Sequence, residues 1–589
     1  MSGFLALVGE PAALASPDLA STLLGLAHTR PVDLWRGGHD VLLASGPNPA
    51  DVALGRVEDL QRGRLVVAVD ARLDARDDLR AALLAANQQP AAGASDAALV
   101  AHACEAWGPA CVERLRGDFS FVAWDPARRE LFGARDPFGG RPLFYAEVQG
   151  GLVVSNAMCP VSEHPLVSDD LDELWLADFV LLGESLRPEA SVFGAVRRLP
   201  PGHALLVRDG GLRSVRPTFA LDPVPPLRGD EGEVRAQVTA ALDAAVRDRL
   251  PSDRLGVLLS GGLDSPLIAA LARRLAPALD MRGHFVHFER LIPDVEPPFV
   301  RRVADALGVP LRSVAADDVG LFDHWEHGSA FEPTHGLDLG IAALVDPGLV
   351  EHAPVAFTGH PSDALLMPDP LPLAAWHDGL RATLRGFCAT WQRWRFRPSL
   401  SLAWAWRRLR PGSDEEPFPA WLDPEVVDRL GLRERWRVGR RDRPPLPGRR
   451  GDARAYVRGP VWATMFEQRH SCATGLALEF RHPLFDLRVV RALLGLPSLP
   501  WCQRKAVFRD LGRVAGLPEV VVLRQKAPLA GDLLQALADQ EHAWPPAVVP
   551  PLAGWVRPGR RPSSRAHLEP WIRLVDADRW LALSRVAGE

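Results

Sequence analysis

The residues able to do chemistry fall into three sets, and the densest is Ser260-Gly261-Gly262-Leu263-Asp264-Ser265. It follows the apolar run Leu255–Leu259 and precedes Pro266 and the helical spacing Leu267, Ile268, Leu271, Leu275. The run reads as a buried strand, and Pro266 suits a first helical turn, where its missing N–H had no partner to lose. A strand, a glycine turn and a helix start form an anion site, because backbone N–H groups and the helix dipole both favour phosphate. Gly261 and Gly262 are expected to take positive φ and let the backbone approach the ligand. Ser260 and Ser265 add hydroxyl donors. Asp264 repels phosphate unless it holds Mg²⁺, an ion usually bound by one or two carboxylates plus phosphate oxygens. The pattern is neither the Walker A loop nor the dinucleotide fingerprint.

The second set is Thr358-Gly359-His360-Pro361-Ser362-Asp363, a turn after the apolar run Val355–Phe357. An apolar strand thus ends in a turn that carries an acid, Asp363. His360 is either a proton acceptor or substrate-orienting group near neutral pH, or a solvated turn histidine. The third set is defined by scarcity. Of 68 lysines and arginines, only Lys505 and Lys526 are lysine. A pressure that turned nearly every exchangeable lysine into arginine left these two, which suits work needing a compact ammonium rather than a planar fork.

The elements that position these sets can be read from patterning. Residues 1–215 alternate strand-like runs (Phe4–Val8, Val41–Ala44, Leu65–Val69, Phe119–Trp124, Leu131–Ala134, Leu152–Ser155) with helical stretches at Arg76–Ala86 and Asp96–Trp107. That predicts a layered α+β domain. A proline-rich linker, Pro217–Gly229, leads to a helix over Glu231–Leu250. Strands then alternate with helices: Gly283–Phe288, a helix over Asp294–Leu307, and Pro310–Val314. The alternation predicts a parallel sheet covered on both faces. Segment 376–410 places Trp376, Trp391, Trp394, Trp404 and Trp406 among arginines. Aromatics with basic groups can bind single-stranded nucleic acid or wall a peptide site, but amphipathic helices with packed tryptophans are the preferred reading. Residues 411–456 are rich in Pro, Arg and Gly and read as loops.

Composition bounds the class. The chain has 589 residues, a hydrophobic fraction of 47% and a net charge of −5. Two or more globular domains are expected, with no bulk attraction to nucleic acid, no membrane span and no signal peptide. Six cysteines without metal-ligand spacing suggest buried thiols in a reducing, cytoplasmic compartment.

Longer blocks carry a family resemblance. Gly117–Asp125 and Leu131–Tyr145, the latter reading LFGARDPFGGRPLFY, resemble the glutamine amidotransferase domain of asparagine synthetases. The loop 260–265 resembles the pyrophosphate loop of ATP pyrophosphatases. Leu478–Asp486, Arg504–Arg509 and Leu517–Lys526 are similar to synthetase motifs in family order. The resemblance implies an Ntn-hydrolase-like α/β/β/α domain over 1–215, then a Rossmann-like ATP pyrophosphatase domain with helical extensions over 230–589. It implies ATP and Mg²⁺ as cofactors. Ser260, Gly261, Gly262, Leu263, Asp264, Ser265, Val286, Gly359 and Lys505 would bind ATP, and Asp264 and Asp363 the metal. Lys526, His360 and Glu479 would be catalytic, with Lys526 steadying the charged transition state.

Departures matter as much. The family's nucleophilic cysteine follows the initiator methionine, and here Ser2 stands there. Asp70-Ala71 replaces the Asn-Gly element that supports the oxyanion, where a carboxylate is repulsive. The loop that binds glutamine is not recognisable. The first domain is therefore expected not to hydrolyse glutamine. Two relatives of this architecture use an amine on the substrate itself, β-lactam synthetases and lasso peptide cyclases. The resemblance favours a cyclase acting on a leader-free peptide, with a leader peptidase and a precursor-recognition protein as implied partners. An ammonia-dependent asparagine synthetase, a β-lactam synthetase or an inactive scaffold are the alternatives.

Overall fold

The structure, a computed structural model, describes residues 3–9, 33–37, 41–46, 65–221, 224–322, 331–394, 418–440, 446–524, 530–539, 552–557 and 567–586. The chain forms two compact units. The first takes 1–220, 327–334 and 460–479, and the second takes 221–326, 335–459 and 480–589. The sequence suggests one crossing near 215–230, yet two later segments also return to the first unit. Buried arginines explain why, since a buried charge needs a counter-charge. Arg198 pairs with Glu332 at 2.5 Å and Glu467 at 2.9 Å, and Arg135 pairs with Glu467 at 2.9 Å.

The first unit contains two antiparallel sheets. Its strands are β1 (Gly3–Gly9), β2 (Asp33–Gly37), β3 (Val41–Gly46), β4 (Val66–Leu73), β5 (Gly117–Asp125) and β6 (Glu130–Arg135), followed by β7 (Phe144–Val148), β8 (Gly151–Ser155), β9 (Arg197–Arg198), β10 (His203–Arg208) and β11 (Gly211–Pro217). One sheet runs β2-β3-β1-β8-β7-β9 and the other β11-β10-β6-β5-β4. Strand side chains alternate between faces, and β4 shows what that does. Val67, Val69, Ala71 and Leu73 join one core with Leu79, Leu83, Leu99 and Val100 of the helices Arg76–Ala85 and Asp96–Trp107. Val66 and Ala68 join the other, with Phe4, Ala6 and Val8 of β1. The layers are helix, sheet, sheet, with the short helix Cys159–Ser162 against β7 and β8. By the same alternation Asp70 and Arg72 fall on the inter-sheet side at the end of β4.

The second unit is built on a parallel sheet, ordered β14-β13-β12-β15-β16. Its strands are β12 (Arg254–Leu258), β13 (Asp280–His287), β14 (Leu311–Ala315), β15 (Val355–Phe357) and β16 (Glu479–Arg481). The β12–β13, β13–β14 and β12–β15 pairs are all parallel. Helices Asp264–Leu275, Pro297–Leu307 and Gly336–His352 lie between strands in the chain. After β12 the chain adds strands on one side as far as β14, then returns to the other side of β12 with β15. The strand order therefore reverses at β12 and β15, and open α/β sheets bind ligands outside the carboxyl ends of the strands at such a point.

Two expectations for the helical extensions are corrected. Residues 411–456 are not simply loops, because helices cover Pro424–Arg429, Leu432–Arg440 and Gly451–Val457. Arginine is a good helix former, and here its charge lies on aromatic faces. Arg433 is 4.7 Å from the Phe418 ring centroid and Arg440 is 4.2 Å from that of Trp436. The tryptophans of 376–410 do not all pack either. Trp376, in the helix Leu371–Asp378, is 83% exposed, and Trp391, in the helix Leu380–Trp394, is also exposed. Trp404 and Trp406 lie outside the described residues. No helix among the described residues is long and apolar enough to cross a membrane.

Candidate active site

The loop Ser260–Ser265 leaves β12 at the switch point, and the helix begins at Asp264. The loop is fastened internally. Gly261 N–H donates to Glu296 Oε2 at 3.0 Å, and Gly261 C=O accepts from Arg524 Nη1 at 2.8 Å. Ser260 N–H donates to Ser265 Oγ at 3.0 Å, and Gly262 N–H donates to Ser260 Oγ at 3.3 Å. Neither Gly261 nor Gly262 has positive φ, contrary to the sequence expectation. A Cβ on Gly261 would lie 2.4 Å from Arg524 Nη1 and 3.1 Å from Glu296 O, so a larger residue there would have to push the Arg524 guanidinium aside. The N–H groups left to an anion are those of the first helical turn, Asp264 and Ser265, which lack intrahelical partners.

The second turn meets this loop directly. A Cβ on Gly359 would lie 2.6 Å from Ser265 N and 3.0 Å from its Cα. These are backbone atoms and cannot swing aside. Gly359→Ala is therefore expected to destabilise the protein by about 1–3 kcal/mol. Thermal denaturation checks this, and an unchanged melting curve would mean that the two turns are not in contact. The turn is also pinned from β16, where Thr358 N–H donates to Arg481 O at 3.2 Å and Thr358 Oγ1 lies 2.6 Å from His482 Nδ1.

Lys505 draws the predicted residues together. Its Nζ is 2.5 Å from Asp264 Oδ2, 2.7 Å from Asp363 Oδ1 and 3.0 Å from Ser362 Oγ. The Asp264 side chain is 21% exposed and that of Asp363 90%. Asp264 Oδ1 is buried and has no hydrogen-bond partner among the described residues. Two carboxylates that already share one cation, one of them with an unsatisfied buried oxygen, fit a divalent ion that also takes phosphate oxygens. No group of three or more His, Cys, Asp or Glu suited to a metal occurs among the described residues.

The other predicted residues are placed as follows. Leu263 is buried just before the helix. Val286 lies on β13, paired in register with Val314. His360 is exposed on the turn after β15. Lys526 and Ser2 lie outside the described residues. Glu479 belongs to the first unit, where its carboxylate accepts from Arg141 Nη2 at 2.5 Å. Sequence reasoning missed Glu296, Arg524 and Ser362. Ser362 was adjacent to a named acid, but nothing in the pattern ties Glu296 to a glycine 35 residues earlier.

The first unit answers what Asp70 does. It is buried, with Asn156 Nδ2 donating to Oδ2 at 2.8 Å, while His470 Nε2 lies 3.0 Å from Oδ2 and Arg141 Nε 3.4 Å from Oδ1. Burial pushes its carboxyl up, but the charges and hydrogen bonds of Arg141, His470 and Asn156 win and hold it below its ordinary value. Arg141 is presented by a turn gathered on Asp136, which accepts from the N–H groups of Phe138, Gly140 and Arg141, each at 3.0 Å. Burial, with the charge of Asp118, pushes the Asp136 carboxyl up to about 6. Cys472 offers no substitute nucleophile, because burial and the Asp70 charge push its thiol far above the ordinary range.

A parallel sheet with a glycine loop and an acidic turn at its switch point is a nucleotide-binding arrangement. The chain belongs to the asparagine synthase family, whose model matches residues 237–543, and a glutamine amidotransferase domain model matches residues 60–217. The first unit is accordingly Ntn-hydrolase-like. The asparagine synthetase (glutamine-hydrolysing) 3 of Bacillus subtilis (strain 168) is 24% identical over 495 residues, 77% of this chain and 73% of that protein. A candidate glutamine-hydrolysing asparagine synthetase of Mycobacterium tuberculosis (strain ATCC 25618 / H37Rv) is 39% identical over 183 residues, 29% of this chain. That match spans only 28% of the mycobacterial protein. Amidase chyE of Penicillium rubens is 29% identical over 291 residues, 46% of this chain and 42% of that protein.

Proposed function

We propose that this chain is an ATP-dependent, AMP-forming amide ligase, and specifically a lasso peptide cyclase. It would adenylate an Asp or Glu side chain of a leader-free peptide and join it to the peptide's N-terminal amine as a macrolactam. The observation that carries the ligase reading is the convergence of Asp264, Asp363 and Lys505 within 2.7 Å contacts at the sheet's switch point. Bound Mg²⁺ would supply charge neutralisation on the phosphates, held by Asp264 and Asp363. The loop's first-turn N–H groups and the Ser260 and Ser265 hydroxyls would orient the phosphate chain. Attack of the substrate carboxylate on the α-phosphorus gives acyl-AMP and pyrophosphate. The amine then displaces AMP and releases a proton, with His360 as the acceptor and Lys526 steadying the developing charge.

The choice of amine rests on the first unit. Where family members carry Asn-Gly, Asp70 is a buried anion locked to Arg141 and His470, which supports a domain without glutaminase activity. An amine on the same substrate then gains from high effective concentration. Cytoplasmic action with a leader peptidase and a precursor-recognition protein belongs to the same reading.

The test incubates leader-free peptides carrying an early Asp or Glu with Mg-ATP and reads peptide mass, AMP and pyrophosphate together. The expected result is a peptide lighter by one water, with equimolar AMP and pyrophosphate and no dependence on glutamine. AMP with an unchanged peptide, and amide formation only with ammonia or a small amino-acid substrate, would replace the cyclase with an asparagine or β-lactam synthetase. No AMP with any of these substrates would leave an inactive scaffold.

A further inference from the structure

Lys505 lies where a cation bridging Asp264 and Asp363 would lie. Its ammonium is 2.5 and 2.7 Å from one oxygen of each acid. A Mg²⁺ ion binding both oxygens would take about 2.1 Å from each. The two positions nearly coincide, so ammonium and metal cannot both occupy them. We propose that Lys505 is an internal counter-ion that competes with the divalent cation for Asp264 and Asp363, so that the metal enters only with the phosphates of the nucleotide.

The geometry around Lys505 supports a built device. Arg504 and Lys505 are consecutive non-glycine residues in the left-handed region, with φ of 47° and 57°. Such conformations cost energy and persist where the surroundings over-determine them, often at functional sites. Here they precede the helix Ala506–Val514, whose Val507 and Phe508 are fully buried. The base of the side chain is thus fixed while its four-carbon stem stays adjustable. An arginine fork would not bridge the same two oxygens as a point charge, which accounts for a lysine in a chain otherwise populated by arginine.

The consequence is a coupling. Among the described residues the ammonium's other contact is Ser362 Oγ, at 3.0 Å. A divalent ion arriving alone must displace Lys505 from both carboxylates with only a hydroxyl left to it. A triphosphate offers oxygens to the displaced ammonium and to the metal together. Metal and nucleotide therefore raise each other's affinity by the same factor.

This rests on the nucleotide-binding part of the proposed function, and the test needs no turnover. Mn²⁺ binding is measured by calorimetry and by its electron paramagnetic resonance signal. The full chain is used, with and without a non-hydrolysable ATP analogue. Wild type should bind Mn²⁺ at least about 10-fold more tightly with the analogue than without it. Lys505→Met should bind Mn²⁺ alone at least about 10-fold more tightly than wild type, and should lose most of the analogue's effect. Lys505→Gln should repeat the result if the methionine variant folds poorly, with circular dichroism as the check. Equal Mn²⁺ affinity in wild type and both folded variants would overturn the proposal, as would full wild-type affinity without nucleotide. Failure of the ligase reading shows differently, as absent AMP formation with the metal coupling intact.

Discussion

Asp264→Ala is expected to lower AMP and pyrophosphate formation by about 10²–10³-fold, roughly 3–4 kcal/mol in the transition state. The carboxylate has three roles that alanine cannot fill. It is the first residue of its helix, where a negative charge is favoured by the dipole, but that is worth only about 0.3–1 kcal/mol. It is the closest partner of Lys505, at 2.5 Å, so its loss leaves the ammonium to Asp363 and Ser362. Its carboxylate, which shares Lys505 with Asp363, is placed to help hold a metal. In the proposed reaction the last role dominates, because the charge on the leaving pyrophosphate would develop beside a metal held here. Asp264→Asn separates the roles, since the amide keeps a hydrogen bond to Lys505 but not the charge. Both variants should fold with nearly wild-type stability. Pyrophosphate release under saturating Mg-ATP is the readout, and activity within five-fold of wild type in either variant would remove the two-acid site.

The parts of this site that could be read from the sequence are those built by neighbours in the chain. Strand, glycine turn and helix over 255–275 are local events, and so are the turn that carries Asp363 and the strand that carries Asp70. The run Leu65–Val69 reads as a strand, but its letters are apolar throughout, so which residues face which core (Val66 and Ala68 one, Val67, Val69 and Ala71 the other) appears only in the structure. What was not legible depends on long-range partners. Gly261 is held by Glu296 and Arg524, 35 and 263 residues away. That anchoring holds its backbone without the positive φ expected of a glycine turn. Glu479 has a motif position, yet its carboxylate is taken by Arg141, 338 residues earlier. The exposed Trp376 shows the same limit, because its helical spacing says which face it shares and not whether anything covers that face.

Asp486→Asn is expected to destabilise the second unit by about 3–5 kcal/mol at neutral pH. The residue closes the motif Glu479–Asp486, and its position there invites a catalytic reading. Its contacts say otherwise. Oδ2 is 2.8 Å from Arg249 Nη1 and 2.6 Å from Arg488 Nη2, while Oδ1 accepts from the Arg488 N–H at 2.8 Å and so caps the helix Leu487–Gly495. Arg249 is only 1% exposed, so removing the anion leaves an uncompensated buried charge. Burial alone would raise the Asp486 carboxyl, but Arg249 and Arg488 outweigh it and hold it far below the usual carboxylate range. A lowered folded pKa means that the stabilisation is complete above the unfolded value of about 3.9 and fades as pH falls toward the folded one. The gap between wild type and Asp486→Asn in urea denaturation should therefore be constant from pH 8 to about 5 and shrink in stronger acid. Replacing both partners with apolar residues, Arg249→Met with Asp486→Leu, should recover part of the loss, because the lone charge and not the missing pair causes most of it. Folded Asp486→Asn should turn over ATP at near wild-type rate. A stability loss below about 1 kcal/mol at pH 7, or a rate loss matching that of Asp264→Ala, would move Asp486 from the scaffold into the chemistry.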